Sequence, residues 1–263
     1  MTDDELFLTA ILDCSRSDLY LHPRSLTEAE QARLDLLRLR RKAGEPVQYL
    51  TGFTEFYGYR FDVGPGVLIP RPETEVLADE LIRMLKASSR QDVRILDVGT
   101  GSGCLAVTLA RELPESRVTA IDVSREALAY ARRNSILNGT SDRVACMERD
   151  MFWFLDETPE RFDAVVSNPP YIPASALESL PADVRHEPEL ALDGGPDGLH
   201  FYRFLVSAAR RVLVPGGVLA VEFGDGQAKE LQNLFAITGP WDKINIYHDN
   251  AGKPRGITAR IIL

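Results

Sequence analysis

Cysteine is scarce in this sequence. The 263 residues include three, Cys14, Cys104 and Cys146, and they are widely separated along the chain. An odd, scattered set is typical of reduced thiols in the cytosol and does not favour a disulfide framework or a metal site with closely spaced ligands. We therefore expect no structural disulfide and no bound metal.

Long hydrophobic runs are also missing, and no apolar stretch is long enough to span a bilayer. The first five residues, Met1-Thr-Asp-Asp-Glu5, lack the basic stretch and apolar run of a secretory signal. Hydrophobic residues make up 44% of the chain and charged residues 26%, which is ordinary for a globular protein with a real core. These features predict a cytoplasmic protein that does not bind membranes.

Positive charge is in deficit. Lysine and arginine total 30 against 39 acidic residues, for a net charge of −9, which argues against broad binding to a phosphate backbone and leads us to expect no direct nucleic-acid binding. One basic run remains, formed by Arg38, Arg40, Arg41 and Lys42. We interpret it as a solvated helix end that complements the helix dipole; the alternative is a contact to nucleic acid or a ribonucleoprotein.

The amino-terminal part of the chain is predicted to be helical. A short helix is expected over residues 5–12, and Thr27-Glu-Ala-Glu30 is a capping box that opens a helix ending near Gly44. Aromatic residues then alternate with polar ones from Phe53 to Val63, which predicts a strand or hairpin. The chain therefore divides into a helical domain (1–45), a linker with a β-hairpin (46–70) and a larger domain (71–263).

From residue 93 onwards, predicted strands and helices alternate. Five strands are expected at 93–98, 117–123, 144–148, 162–167 and 218–223, with helices between most of them and a long irregular loop over residues 168–198. Alternation of this kind predicts a doubly wound parallel sheet. Two further strands, 243–247 and 256–262, look like an antiparallel hairpin. The fold class is therefore α/β, with a seven-stranded sheet and a small amino-terminal helical domain.

A glycine-rich turn follows the first of these strands, in the stretch Asp97-Val-Gly-Thr-Gly-Ser-Gly103. Glycines let a backbone approach a ligand closely, and the free amides of the next helix point at it. The turn is not the dinucleotide fingerprint, because position 104 is cysteine, and no Walker lysine follows. Its candidate ligand-binding residues are Gly99, Thr100, Gly101, Ser102 and Gly103.

Two carboxylates and a thiol lie close to this turn. Asp122 ends the second strand, where it can accept hydrogen bonds from ribose hydroxyls, so an adenosine-type cofactor without a pyrophosphate fits. Asp150 follows the third strand and could accept from an adenine amine or simply be a turn residue. Cys104 lies at a helix amino end, where we expect a lowered thiol pKa, although we assign it a packing role.

The stretch Asn168-Pro-Pro-Tyr171 ends the fourth strand abruptly, because two prolines cannot continue a central strand. The Asn168 side-chain oxygen and the Pro169 carbonyl are adjacent acceptors that match the two hydrogens of a planar amine. Tyr171 offers a ring on which a flat group can stack. The simpler interpretation is a polar turn.

Arg71 and Glu73 lie at the start of a helix that Pro72 opens. They either cap the helix and form surface pairs, or lie beside a ligand, and this segment alone does not decide between the two.

Taken together, these motifs resemble the peptide chain release factor glutamine methyltransferase family, within the class I S-adenosylmethionine-dependent methyltransferases. The resemblance covers nearly the whole chain. Besides the glycine-rich turn, Asp122 and Asn168-Pro-Pro-Tyr171, it is carried by Pro46-Val-Gln-Tyr49, Phe56-Tyr-Gly58, Val67-Leu-Ile-Pro-Arg-Pro-Glu-Thr-Glu75, Glu187-Pro188, Ala191-Leu-Asp-Gly-Gly-Pro-Asp-Gly-Leu199, Val221-Glu-Phe-Gly224 and Gly252-Lys-Pro-Arg255.

Two departures from the family pattern affect the site. His186 stands where we expect a tyrosine, and Glu148-Arg-Asp150 stands where we expect Gly-Asp. Because the spacing from Asp150 to Phe162 is long, Met151, Phe152 or Trp153 could replace Asp150 as the contact to adenine.

The resemblance implies a Rossmann-like methyltransferase sheet, S-adenosyl-L-methionine as cofactor, and a peptide chain release factor as substrate, gripped by the amino-terminal helices. The methylated group would be the glutamine of the Gly-Gly-Gln loop, which tunes translation termination. Asn168, Pro169, Pro170 and Tyr171 would hold it, with Arg71 and Glu73 nearby. Gly99–Gly103, Asp122, Asp150, Met151 and Asn168 would hold the cofactor. No general base is required, so neither His186 nor His200 is assigned that role.

Two alternatives remain open at this point. One is a methyltransferase acting on adenine or guanine amines of DNA or RNA, which should show a basic groove with aromatic residues for a flipped base. The other is a non-catalytic binder of a release factor or ribosome that retains the fold, and it predicts a broken glycine turn or a lost Asn168.

Overall fold

A computed structural model describes residues 2–88, 90 and 92–262. Met1, Ser89, Gln91 and Leu263, which fall within the predicted domains, lie outside the described residues. The helices are α1 (Asp3–Leu12), α2 (Arg16–Leu21), α3 (Glu28–Lys42), α4 (Val47–Thr51), α5 (Pro72–Lys86), α6 (Cys104–Glu112), α7 (Arg125–Leu137), α8 (Met151–Glu157), α9 (His200–Val212) and α10 (Ala228–Thr238). The strands are β1 (Phe53–Phe56), β2 (Tyr59–Asp62), β3 (Arg94–Val98), β4 (Arg117–Asp122), β5 (Val144–Glu148), β6 (Phe162–Ser167), β7 (Leu213–Glu222), β8 (Trp241–His248) and β9 (Pro254–Ile261).

The amino-terminal helices form a small cluster with its own core. The capping box predicted at Thr27 is confirmed, because the Thr27 hydroxyl accepts from the Glu30 backbone while the Glu30 carboxylate accepts from the Thr27 backbone. The core consists of Phe7, Leu34, Leu37 and Leu50. Since Leu50 belongs to α4, the packing of this cluster continues past residue 45.

Most of the basic run on α3 is neutralised within the same cluster. Arg38 forms an ion pair with Asp4 at 2.6 Å, and Arg41 forms one with Asp3 at 2.7 Å. Arg40 is paired with Glu45. These arginines therefore tie α3 to α1 and to the segment that follows α3.

The hairpin predicted between residues 53 and 63 is present. Strands β1 and β2 pair in antiparallel fashion, and Tyr57 and Gly58 form the turn with φ angles of 54° and 73°. Positive φ at both central residues is the geometry that matches the twist of a two-residue hairpin. Tyr57, predicted to be part of an alternating strand, therefore lies in the turn.

The main sheet has seven strands in the order β5-β4-β3-β6-β7-β9-β8. Strands β3 to β7 are parallel, whereas β9 pairs antiparallel with both β7 and β8. The predicted seven-stranded α/β sheet and its closing hairpin are confirmed. The strand order reverses between β3 and β6, and such a reversal opens a crevice at the carboxyl ends of the strands.

Both faces of the sheet are covered. Helices α5 and α6 pack on one face and share a core with Ile95, while α9 and α10 pack on the other with Leu96. Successive residues of β3 thus point into opposite layers, as the two-residue period of a strand requires. Among the described residues, no helix is both long enough and apolar enough to cross a membrane.

Two local features differ from the prediction. Residues 151–157, which we left without secondary structure, form α8, because Asp150 caps the helix by accepting from the Phe152 backbone at 2.7 Å and Phe154 and Leu155 bury its apolar face. The strand predicted at 218–223 is longer than expected: β7 begins at Leu213, and its pairing with β6 shifts register between Phe162 and Ala164.

Asn134 on α7 connects three parts of the fold. Its buried side chain accepts from the Asp62 backbone at 2.7 Å and donates to the carbonyls of Asp62 and Ser102 at 3.0 and 2.8 Å. Asp62 ends the hairpin, and Ser102 belongs to the glycine-rich turn. This one amide therefore holds the hairpin and the turn against α7.

Replacing Asn134 with alanine should destabilise the protein by about 2–4 kcal/mol, because the buried partners lose their hydrogen bonds. The measurement is the free energy of unfolding in urea. The control is Asn138→Ala, which removes a half-exposed amide that also bonds two carbonyls, those of Arg60 and Asn134. It should cost less than about 1 kcal/mol. Equal losses in the two variants would contradict the role given to Asn134.

Candidate active site

The crevice at the strand reversal contains two adjoining cavities. The first, of about 350 Å³, is bordered by the glycine-rich turn after β3, the end of β4 and the start of α8. The second, of about 300 Å³, lies beside Tyr171, Glu222 and Arg255. Asn168 and Pro169 border both cavities. The structure therefore places the predicted Asn-Pro-Pro-Tyr segment between two spaces.

The glycine-rich turn forms one wall of the first cavity. The backbone amides of Gly99 and Thr100 both donate to the Ile121 carbonyl, at 2.9 and 3.0 Å, which fixes the turn against β4. Gly99 has a φ of 71°, and a Cβ at this position would meet no atom within 4 Å. At Gly103, with a φ of 80°, a Cβ would lie 3.0 Å from the Ala131 Cα. Gly99 therefore leaves room at the cavity, and Gly103 allows α7 to approach.

Asp122 stands at the end of β4, on the edge of the first cavity. One carboxylate oxygen accepts from the Gly101 backbone and the other from the Ser124 backbone, both at 2.9 Å. Burial raises the pKa of this carboxyl above its usual range. Each carboxylate oxygen has a further lone pair, so the group is held in place with acceptors to spare, as a site for ribose hydroxyls requires.

Buried polar atoms beside the turn have no protein partner among the described residues. Asp97 is fully buried, and only one of its oxygens is bonded, accepting from the Thr100 hydroxyl at 2.6 Å. Ser102 borders the first cavity, and its buried hydroxyl oxygen is also unpaired within the described chain. Buried polar groups are normally hydrogen-bonded, and these two atoms at the glycine-rich turn are exceptions among the described residues.

The start of α8 lies opposite the glycine-rich turn. Asp150, Met151 and Phe152 border the first cavity. Asp150 is exposed, and its carboxylate caps α8. Trp153 is 68% exposed and does not border the cavity. Of the four residues considered for adenine, Met151 and Phe152 therefore present apolar side chains to the space, and Trp153 does not.

The expected lowering of the Cys104 thiol pKa is wrong. Burial, with a contribution from the neighbouring Asp97 carboxyl, raises the pKa of this thiol to about 12. Desolvation of a charged group outweighs the modest attraction of a helix amino terminus. Cys104 packs against the core layer formed by α5 and α6, which agrees with its assigned packing role.

Asn168 is held by a chain of buried side chains. Its Nδ2 donates to the Thr74 hydroxyl oxygen at 3.1 Å, and the Thr74 hydroxyl donates to Glu222 at 2.6 Å. Thr74 and Glu222 are each only 2% exposed, and burial raises the pKa of Glu222 to about 7. No described residue donates to Asn168 Oδ1. The acceptor predicted from the sequence is therefore free.

Tyr171 is fixed through its backbone. Its carbonyl accepts from Gln227 Nε2 at 3.1 Å, and Ile172 forms a bridge with Asp193. A Cβ on Gly194 would lie 2.7 Å from the Tyr171 Cα, so the loop after residue 190 can pack here only with glycine. The Tyr171 ring borders the second cavity, and burial raises its pKa to about 12, which keeps the phenol neutral at physiological pH.

Charged residues surround the second cavity. Arg71 borders both cavities and pairs with Glu187, whose other oxygen accepts from the Ile69 backbone at 3.1 Å. Glu73 and Arg255 border the second cavity only, and Arg255 also bonds Asp249 at 2.9 Å. Arg71 and Glu73, which the sequence left undecided, therefore lie at the site.

The two loop histidines have different positions. His200 is exposed at the edge of the first cavity, with its ring 5.6 Å from that of Phe152. His186 is exposed and borders neither cavity. Among the described residues, no group of three or more histidine, cysteine or acidic side chains could hold a metal ion.

Four residues of the site had no role assigned from the sequence, namely Thr74, Glu187, Glu222 and Arg255. Each belongs to a segment that carried the family resemblance. The sequence feature that could have pointed to Glu222 is its place as a lone acid at the end of an apolar strand. A carboxylate that is buried there needs a specific partner. Its partner Thr74 lies 148 positions away in sequence, and only the fold brings the two together.

The raised pKa of Glu222 predicts a pH-dependent stability. A carboxyl whose folded pKa lies above its unfolded value stabilises the protein below the unfolded pKa, and that stabilisation is lost as pH rises through the folded pKa. Here the window runs from the usual glutamate value of 4.5 to about 7. The Glu222→Gln variant should therefore gain about 2–3 kcal/mol relative to the unchanged protein between pH 5 and pH 8.

Urea unfolding of both proteins at four pH values across this range measures the effect. Glu73→Gln, at the border of the same cavity, is the control and should show a much smaller drift. A constant difference between Glu222→Gln and the unchanged protein would show that this carboxyl does not titrate with folding.

Comparisons with known proteins agree with the geometry. Two family models match: PrmC N-terminal domain over residues 2–52 and Methyltransferase small domain over residues 73–181. A release factor glutamine methyltransferase from Moorella thermoacetica is 46% identical over 82% of this chain and 75% of the relative. One from Geobacter sulfurreducens is 43% identical over 98% of this chain and 89% of the relative.

Among solved structures, a methyltransferase from Pyrococcus furiosus superposes with a TM-score of 0.57 at 20% identity, covering 90% of this chain and all of that one. This likeness supports the fold. The relative from Geobacter sulfurreducens is similar over 98% of this chain, so its similarity includes the helical cluster as well as the sheet. This chain belongs to the release factor glutamine methyltransferase family.

Proposed function

We propose that this protein transfers a methyl group from S-adenosyl-L-methionine to the side-chain amide nitrogen of the glutamine in the Gly-Gly-Gln motif of a peptide chain release factor. The observation that carries the proposal is the position of Asn168, which borders both cavities and whose Oδ1 accepts no hydrogen bond from the described residues. Names of relatives supply the substrate class, and the geometry supplies a place for a planar amide.

S-adenosyl-L-methionine is the methyl donor, and the residues around the first cavity fit it. We assign Asp122 to the ribose hydroxyls, and Met151 with Phe152 to the adenine ring. The turn Gly99–Gly103 would receive the amino-acid part of the molecule. When bound, this cofactor supplies a strongly electrophilic methyl carbon.

The second cavity would hold the glutamine. Asn168 Oδ1 and the Pro169 carbonyl accept the two amide hydrogens, which turns the π face of the nitrogen towards the first cavity. Pro170 and the neutral Tyr171 ring pack against the side chain. Arg71 and Glu73 lie at the border of this space and would contact the backbone on either side of the glutamine.

Catalysis in this arrangement depends on positioning. An amide nitrogen is a poor nucleophile because its lone pair is delocalised into the carbonyl. Fixed orientation can lower such a barrier by roughly 7–11 kcal/mol in favourable cases. The cofactor would supply the methyl carbon and keep the sulfur as its leaving group, while Asn168 and the Pro169 carbonyl would hold the nitrogen in line; the methylated nitrogen would then lose a proton to water. His200 and His186 are not needed as bases.

The amino-terminal helices would bind the release factor outside the Gly-Gly-Gln loop. Their cluster exposes four large apolar side chains, Tyr20, Leu21, Leu36 and Leu39, which suit a protein partner. We propose a division into a recognition domain (1–45), a linker with the hairpin (46–70) and a catalytic domain (71–263). A substrate of this kind places the enzyme in the cytoplasm, where translation takes place.

The proposed substrate is tested by methyl transfer from radiolabelled S-adenosyl-L-methionine. Label should appear on an intact bacterial-type release factor and be absent from a version whose Gly-Gly-Gln glutamine is changed to alanine. Duplex DNA and RNA serve as controls for transfer to a nucleic-acid amine. Label on either nucleic acid, or on both versions of the release factor, would refute the assignment.

Two substitutions should distinguish the proposed roles of the two cavities, cofactor binding in the first and substrate alignment in the second. Asn168→Ala should lower kcat at least ~100-fold, because the aligning acceptor is lost, while the Kd for cofactor changes by less than about threefold. Asp122→Ala should raise that Kd ~10–100-fold, as expected for loss of charge-assisted hydrogen bonds.

Isothermal titration measures the cofactor Kd, and the transfer assay measures kcat. Glu148→Ala, at the end of the neighbouring strand and outside both cavities, is the control for Asp122. Comparable loss of cofactor binding in Asn168→Ala would contradict its proposed role as an aligner of the substrate.

A further inference from the structure

Thr74 and Glu222 form a polar chain behind Asn168 that the proposed reaction does not itself require. Glu222 ends β7, Thr74 lies in the first turn of α5, and Asn168 follows β6. Both supporting side chains are almost fully buried, so water cannot readily replace either of them. The hydrogen-bonded series from Glu222 through Thr74 to Asn168 therefore consists of protein groups only, at the point where the substrate would be aligned.

The hydrogen bonds along this chain have only one possible direction when Glu222 is ionised. A carboxylate accepts and cannot donate, so the single hydroxyl hydrogen of Thr74 must go to Glu222, 2.6 Å away. The Thr74 oxygen can then only accept from Asn168, which must present its NH2 group at 3.1 Å. The oxygen of the Asn168 amide is left facing the cavities.

We infer that Thr74, held by Glu222, is a positioning and specificity-determining residue that sets which end of the Asn168 amide faces the substrate. This inference rests on the proposed function for its catalytic consequence. An asparagine side chain is nearly symmetrical in shape, so packing alone does not distinguish its oxygen from its nitrogen. The direction of the hydrogen bonds from Asn168 through Thr74 to Glu222 does distinguish the two ends of the amide.

The orientation decides which substrates can be aligned. With its oxygen outward, Asn168 accepts from the NH2 of a carboxamide or an aromatic amine. A flipped amide would direct its own NH2 at that group, placing donor against donor. A glutamate side chain offers no donor when ionised, so the same orientation rejects glutamate in favour of glutamine.

The orientation can be measured without any substrate, by NMR of the protein at pH 8, above the raised pKa of Glu222. The Asn168 side-chain NH2 signals are identified by their loss in Asn168→Ala. In the unchanged protein we expect slowed hydrogen exchange at this NH2 group and a cross-peak to the Thr74 methyl. Thr74→Val should abolish the slowed exchange, and Thr74→Ser should keep it.

The catalytic consequence is measured in the transfer assay with the release factor. Thr74→Val should lower kcat ~10–100-fold, as expected when a buried hydrogen bond to a polar group is lost. The KM for S-adenosyl-L-methionine should stay within about twofold. Thr74→Ser should restore most of kcat, because serine keeps the hydroxyl. Thr108→Val is the matched control. Thr108 is fully buried, and its hydroxyl has no partner in the part of the chain that the structure describes, so its loss should leave kcat within about twofold.

The inference is overturned if the Asn168 NH2 of the unchanged protein exchanges freely, or if Thr74→Val keeps both its protection and its kcat. Loss of kcat in Thr74→Val without rescue by serine would also overturn it. If Thr74→Val does not fold, the NMR result on the unchanged protein and the serine variant still decides. The Asn168 NH2 group could show slowed exchange while the protein transfers no methyl group to the release factor. That result would refute only the proposed substrate, and the orientation of the Asn168 amide would stand.

Discussion

The reversal of strand order between β3 and β6 is the constraint on which the site depends. Helices leaving neighbouring parallel strands on opposite faces of a sheet cannot close over the strand ends, so a crevice remains. The glycine-rich turn follows β3 and Asn168 follows β6, so both border this crevice. They lie side by side there although they are about 70 positions apart in sequence. One geometric feature of the sheet thus provides both cavities and the wall between them.

Three buried carboxyls hold residues that border the crevice. Asp97 and Glu222 both have a pKa raised to about 7 by burial, and burial raises that of Glu187 as well. Burying an ionisable group destabilises a protein unless the group is bonded. Each of these carboxyls fixes another element of the site: Asp97 holds Thr100, Glu222 holds Thr74, and Glu187 holds Arg71. These hydrogen bonds offset part of the unfavourable free energy of burying the carboxyls and keep the polar groups around the cavities oriented.

The sequence predicted much of this arrangement because its signals are local. The seven strands, the capping box at Thr27 and the proline-opened helix α5 follow from periodicity and from the conformational limits of single residues. Local reasoning was weaker where two effects compete. Cys104 lies at a helix start and yet has a raised thiol pKa, because burial exceeds the dipole. Helix α8 was missed because its seven residues are too few to show a periodic pattern.

The sequence by itself determined the sheet, the glycine-rich turn and the adjacent acceptors of Asn168 and Pro169, because each is encoded within a few consecutive residues. Only the tertiary structure decided which residues hold those acceptors. Thr74, Glu222 and Asn168 come from three separate elements, and Arg71 meets Glu187 across 116 positions. The direction of a hydrogen-bond chain depends on which donors and acceptors become neighbours, and that is a property of packing, which no short stretch of sequence contains.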